Sequence, residues 1–286
     1  MPACWTAVKG RRQEMYRVRI DHMNLHQIAG SGQCFRWRML GESAYGIHAF
    51  GRYLEIAQEG DDFLLSCGEG EWNEIWKTYF DMDTDYREAE RIVALSEDKF
   101  LKAAYRFGSG IRILRQDLWE VLVSFIISQN NNIPRIRKSI ERICDGFGGR
   151  FPDCHELWEM DLSDKGLGYR DKYLKEAAVW WMGQEGAAGS ELWDMEVPKE
   201  RLLEIKGVGN KVADCICLFG LHRLEAFPVD THISKILDRE YGGRLPDWSG
   251  VKFAGLFQQY IFYHDLMNKG QERPKAAKEV KDEVSV

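Results

Sequence analysis

To about residue 80, apolar and polar residues mostly alternate with the period of a strand; beyond Asp85 they follow the period of a helix. Tyr16-Arg17-Val18-Arg19-Ile20, Phe35 to Met39 and Tyr53-Leu54-Glu55-Ile56 alternate, and Phe63-Leu64-Leu65 follows. Turn-forming residues separate them at Gly30-Ser31-Gly32, Gly41-Glu42-Ser43, Glu59 to Asp62 and Gly68 to Gly70. These features predict an antiparallel sheet. Ala89, Ile92, Val93 and Leu95 then mark one helix face, and Leu118, Val121, Leu122, Phe125 and Ile126 mark another. Ile133, Ile136, Ile140 and Ile143 oppose Arg135, Arg137, Lys138 and Arg142, an amphipathic helix with a basic outer face. The expected fold class is α+β: an N-terminal antiparallel β-sheet domain over 1–84 and an all-helical body over 85–268. A charged tail over 269–286, poor in apolar residues, reads as flexible.

Composition narrows the function. With 286 residues, 44% hydrophobic and 29% charged, the chain has ample length and apolar content for a buried core. The net charge of −6 gives no global pull towards a polyanion, so any nucleic-acid binding must come from local basic groups and backbone donors. The first residues carry no apolar core of a secretory signal, and the apolar run from Val121 to Ile127 is too short to span a bilayer. An intracellular, non-secreted protein without a membrane partner is expected. Seven cysteines, with only Cys215 and Cys217 close in a C-x-C pair, read as reduced thiols. No cysteine follows Cys217, so a C-terminal four-cysteine iron–sulfur site is not expected, nor is any required cofactor.

The segment from Leu202 to Gly220 carries the most information. An apolar half-helix runs into Gly207-Val208-Gly209, and a second helix follows with Val212, Cys215, Ile216 and Phe219 on one face. The two glycines permit a tight turn and leave bare amides at a helix N-terminus, a site suited to a phosphate oxygen. Gly207, Gly209, Lys211 and Val212 are therefore candidate DNA-backbone contacts. Such a grip needs no cationic surface. An αα-hairpin that merely packs is the alternative for a Gly-x-Gly alone.

With Pro228-Val229-Asp230-Thr231-His232 following, the hairpin, at about 202–220, resembles the helix-hairpin-helix Gly/Pro-Asp superfamily of DNA glycosylases. It is similar to the 8-oxoguanine DNA glycosylase/AP lyase branch in particular. The resemblance implies that Lys211 and Asp230 are the catalytic pair and that the sheet corresponds to a TATA-binding-protein-like domain. It further implies a monomer acting on double-stranded DNA with an oxidised purine. The chemistry fits those residue types. Breaking an N-glycosidic bond builds oxocarbenium character that a fixed carboxylate stabilises. An uncharged amine can occupy the anomeric carbon, form a Schiff base and permit β-elimination. Lys206 stands where the family often has a hairpin proline; the Leu203, Ile205 and Val208 carbonyls are candidate ligands of a monovalent or divalent cation, with no side-chain metal site.

Three further segments extend the resemblance. Cys215, one turn after Lys211, is placed to flank an extruded base. Phe257 to Leu266 resembles the family's last helix, which makes Gln258 the amide for the base's Watson–Crick edge and Phe262 its stacking partner; a one-residue slip selects Gln259 and Tyr263 instead. In Ser31-Gly32-Gln33-Cys34-Phe35-Arg36-Trp37, Gly32 is the candidate discriminator, since the N7 of 8-oxoguanine donates a hydrogen bond where guanine's accepts. For the opposite strand, Asn130 and Arg135 would read cytosine by family analogy. Tyr169 would act as a wedge, Arg170 as a second cytosine contact and His232 as a phosphate contact. Competing readings are a non-catalytic hairpin that only binds DNA, and a glycosylase for another damaged purine.

Overall fold

The computed structural model describes residues 15–184 and 197–268; the tail expected over 269–286 lies outside them. Five antiparallel strands, β1 (Tyr16–Arg19), β2 (Trp37–Gly41), β3 (Ala44–Ala49), β4 (Arg52–Glu59) and β5 (Asp62–Leu65), form a sheet of order β1-β5-β4-β3-β2. Phe50 and Gly51 both take positive φ and close the β3–β4 hairpin, Ala49 facing Arg52 across it. That geometry matches the strand twist at a two-residue turn. The sheet buries Ile47, Leu54, Ile56, Phe63 and Leu65 against Trp72, Trp76, Tyr79 and Phe80.

Three elements differ from the sequence expectation. β3 was not anticipated, because Gly46 and His48 interrupt its alternation. Gly46 is small because the Tyr53 ring lies over it, and a Cβ there would sit 2.6 Å from the Tyr53 hydroxyl. The turn expected at Gly68 to Gly70 instead opens a helical stretch: α2 (Glu69–Glu71), a π-helical turn at Trp72–Trp76, and α3 (Lys77–Tyr79). Gly30-Ser31-Gly32 is not a strand turn but the end of a short helix, α1 (Leu25–Gly30), which Asn24 caps by accepting the Gln27 N–H.

The helical body comprises α4 (Tyr86–Leu95), α5 (Lys99–Gly108), α6 (Leu118–Ser128), α7 (Ile133–Cys144), α8 (Cys154–Glu159), α9 (Arg170–Met182), α10 (Lys199–Leu203), α11 (Asn210–Phe219), α12 (Thr231–Tyr241) and α13 (Ala254–Asn268). Asp85, Asp98, Asp117, Asn132, Asp153 and Asp230 cap α4, α5, α6, α7, α8 and α12, each accepting a first-turn N–H. α6 is buried from Leu118 through Ile127 except at Glu120, and it packs against α7, α9 and α11, making it the central helix. Its expected apolar face was thus only part of what it buries. On α4, Ala89 and Val93 are buried as expected, whereas Leu95 is 86% exposed. Among the described residues no helix is long and apolar enough to cross a membrane.

The sheet and the helices are joined by polar side chains buried between them. Gln33 donates to the Arg112 carbonyl and accepts from the Leu114 N–H, both at 2.9 Å. Arg112 in turn donates to the carbonyls of Asp21, His22 and Asp81. Leaving any one such group unpaired in the interior costs about 1–3 kcal/mol. These bonds therefore hold Gly32, next to Gln33, in fixed relation to the helical body.

Candidate active site

The hairpin forms where α10 ends and α11 begins. Leu202, Ile205, Val208 and Val212 are buried and anchor both arms. Gly207 takes φ +91°, and the Val208 N–H closes the turn onto the Ile205 carbonyl at 2.9 Å. Gly209 is the N-cap of α11 and offers no side chain, so the first-turn amides are not capped as those of the six helices above are. The tight turn and the open amides expected of this segment are both present.

Lys211 sits in that first turn, half-buried, its Nζ 5.4 Å from the centroid of the Phe125 ring on α6. One turn on, Cys215 is fully buried. Burial pushes its thiol up to about 11 against the pull of Lys211, and the charge of Asp230 adds to the rise. The thiol stays protonated at neutral pH and presents a small, neutral wall. Asp230 caps α12, its Oδ1 accepting the His232 and Ile233 N–H groups at 3.0 and 2.7 Å. Both bonds fall on one oxygen, so the cap also orients the carboxylate. Among the described residues no ion pair joins Lys211 and Asp230, so neither is neutralised by the other at contact distance.

A second cluster lies beside this one. Gly32 has φ +78°, and a Cβ there would meet the Phe262 ring at 3.5 Å. The half-buried Phe262 ring is 4.8 Å from that of His232. Tyr263, the alternative in the shifted register, is buried against Phe107, and a Cβ on Gly30 would touch it at 2.9 Å. The ring facing Gly32 is thus Phe262. Both glutamines are buried: Gln258 donates to the Pro228 carbonyl at 3.1 Å, and Gln259 donates to Gln258 Oε1 at 2.9 Å. The Pro228 carbonyl can only accept, which fixes the orientation of the Gln258 amide.

The three asparagines between α6 and α7 divide their work. Asn131 donates back to the Ile127 carbonyl and Asn132 caps α7. Asn130 is exposed at φ +45° and caps no helix, its Nδ2 3.4 Å from the Tyr169 hydroxyl. Arg135 is exposed, and among the described residues its guanidinium makes no hydrogen bond or ion pair. Tyr169 is 49% exposed.

Two expected contacts are placed differently. Arg170 is only 6% exposed and commits its guanidinium to the carbonyls of Gln129, Asn130 and Leu167. It fixes the Asn130 turn from beneath and does not present a free fork to a base. His232 is turned inward, its Nε2 2.7 Å from Asp265 Oδ2 and its ring against Phe262. Phe125 beneath Lys211 and Tyr173 against Gly207 carry no local signal in the sequence. An aromatic on a core-facing helix looks the same whether it packs or supports a site. Among the described residues, no group of three or more His, Cys, Asp or Glu is placed to hold a metal ion.

An antiparallel sheet leading into a helical body, with an uncapped Gly-x-Gly hairpin between α10 and α11, is the architecture of a helix-hairpin-helix DNA glycosylase. A family described as the 8-oxoguanine DNA glycosylase, N-terminal domain, matches residues 15–122. The N-glycosylase/DNA lyase of Saccharomyces cerevisiae is 31% identical over 262 residues, 76% of this chain and 68% of that protein. The fold is also that of MBOgg1, solved with a low-affinity DNA ligand, at 34% identity and a TM-score of 0.81 over 91% of this chain and 98% of that one. The Clostridium acetobutylicum 8-oxoguanine glycosylase/lyase, solved with double-stranded DNA containing cytosine opposite 8-oxoG, has 31% identity and a TM-score of 0.76 over 91% and 97%. The chain belongs to the 8-oxoguanine N-glycosylase/DNA lyase family.

Proposed function

We propose that this protein excises 8-oxoguanine opposite cytosine from duplex DNA and then nicks the strand, with Lys211 as nucleophile and Asp230 as its electrostatic partner. The observation that carries the reading is that Lys211, in the first turn of α11, and Asp230, the cap of α12, flank the buried Cys215 closely enough for both charges to act on its thiol. The open amides of α11, with Gly207 and Gly209, hold the backbone. The damaged nucleotide is turned out of the stack, at a cost of a few kcal/mol. Tyr169 fills the gap it leaves, while Asn130 and Arg135 engage the widowed cytosine. The base enters between Cys215 and Phe262. There the Gly32 carbonyl accepts the N7–H that only the oxidised purine offers, and the Gln258 amide meets the Watson–Crick edge.

Asp230 stabilises positive charge developing on the sugar as the C1′–N9 bond breaks. The Lys211 nitrogen bonds to C1′, and the proton it sheds leaves with the base. Ring opening gives the Schiff base; loss of a C2′ proton then breaks the C3′–O bond and cleaves the strand. The Leu203, Ile205 and Val208 carbonyls of the same turn would hold a bound cation. Ile205 O already accepts one N–H and retains a second lone pair, and no step of the reaction passes through the ion. Monomeric action inside the cell completes the reading, in keeping with six free cysteines among the described residues.

A panel of duplexes carrying oxidised or alkylated purines opposite each base, resolved before and after alkali, tests this. The 8-oxoguanine:cytosine duplex is nicked without alkali. Cleavage only after alkali, or of alkylated purines alone, contradicts the reading. In the same panel Arg135→Ala flattens the preference for cytosine by about tenfold, the scale of one lost base contact. An unchanged preference returns Arg135 to an ordinary surface charge.

A further inference from the structure

The geometry points to Tyr173 as a positioning residue that sets the hairpin bearing Lys211 against the turn that reads the opposite strand, an inference that rests on the function proposed above. Tyr173 lies on α9 one turn beyond Tyr169. It is outside that helix's fully buried face of Leu174, Ala177, Ala178 and Trp181. Its half-buried ring has two neighbours of functional interest.

On one side is Gly207. A Cβ built there would fall 2.5, 2.6 and 2.9 Å from three atoms of the Tyr173 ring, so the hairpin backbone rests directly on the aromatic face. With φ at +91°, this position excludes other residues twice over, by conformation and by contact. On the other side is Tyr169, edge-on with ring centroids 5.7 Å apart. The Tyr169 hydroxyl is 3.4 Å from Asn130 Nδ2, and the Arg170 guanidinium stacks 4.6 Å over the same ring while holding the Asn130 carbonyl. Asn130, Tyr169, Tyr173 and Gly207 therefore form an unbroken run of contacts. Gly207 connects to Lys211 through a turn fixed by the Val208–Ile205 and Ala213–Gly209 backbone bonds.

Packed contacts of this kind shift together because close-packed side chains leave no slack. A cytosine seated on Asn130 thus has a rigid route to the position of the amine. Tyr173 needs its flat face for this and not its hydroxyl, for which no hydrogen bond appears among the described residues.

The test is single-turnover borohydride trapping on 8-oxoguanine opposite cytosine and opposite adenine, with wild type, Tyr173→Phe and Tyr173→Leu, each checked for native circular dichroism. Tyr173→Phe keeps the wild-type ratio of the two rates. Tyr173→Leu slows the cytosine duplex about tenfold and the adenine duplex less than about twofold, in the range of measured site–site couplings. Equal slowing on both duplexes, with the wild-type preference intact, overturns the role of Tyr173 alone. A wild type with no opposite-base preference overturns the opposite-strand reading and this inference with it. If Tyr173→Leu does not fold, Tyr173→Met, which fills similar space without a flat face, gives the same readout.

Discussion

Lys211→Gln abolishes borohydride capture and strand nicking while leaving duplex binding within a few-fold of wild type. The substitution is mild for the fold. Lysine and glutamine have nearly equal helix propensity, Lys211 is half-buried, and it forms no ion pair among the described residues. The loss in packing is the cation–π contact with Phe125, about 0.5–1 kcal/mol. The backbone amides at the start of α11 are unchanged, so the phosphate grip survives. What disappears is the nitrogen able to bond C1′. Removing a covalent nucleophile lowers turnover by on the order of 10⁴-fold or more. Gel-shift affinity and trapping yield, measured on the same preparation, separate the two effects. Persistent trapping removes Lys211 from the nucleophile's role.

Asp230→Asn slows base release by about 10²–10³-fold without destabilising the protein. Asp230 does two jobs, and only one depends on charge. As the cap of α12 it accepts the His232 and Ile233 N–H groups, which an asparagine oxygen does equally well. As the counter-charge to an oxocarbenium it cannot be replaced by an amide. Asp230→Ala separates the two: it adds a cap loss of about 1 kcal/mol to the catalytic defect. That lowers the melting temperature by about 2–4 °C, a shift Asp230→Asn does not show. Near-normal base release by Asp230→Asn contradicts the electrostatic role and leaves the residue a cap only.

How far the sequence revealed these features depended on how local each one was. Helical periodicity beyond Asp85 is a near-neighbour property, and the predicted faces of α6 and α7 are buried apart from Ile133, which is half-buried. β3 escaped because Gly46 is dictated by Tyr53 on the neighbouring strand, a constraint absent from its own segment. The hairpin was legible since glycines, helix start and lysine lie within a few residues. The Phe262 or Tyr263 choice was not, because either ring has helical spacing. The structure brings Phe262 to Gly32 and sends Tyr263 to Gly30 and Phe107.

Arg170 and His232 show the opposite limit. The family resemblance implied Arg170 as a cytosine contact and His232 as a phosphate contact. Their orientation is decided by partners distant in sequence: the carbonyls of Gln129 and Asn130 for one, Asp265 for the other. The asparagine run was similarly half-legible. Only the fold reveals that Asn131 and Asn132 satisfy helix ends, leaving Asn130 as the amide available to DNA.

Peptide mapping of the borohydride-trapped complex by mass spectrometry asks which nitrogen holds the sugar. The expected result is a reduced deoxyribose adduct on the peptide containing Lys211 and nowhere else. An adduct on Lys199, Lys206 or the terminal amine, with the residue-211 peptide unmodified, contradicts it.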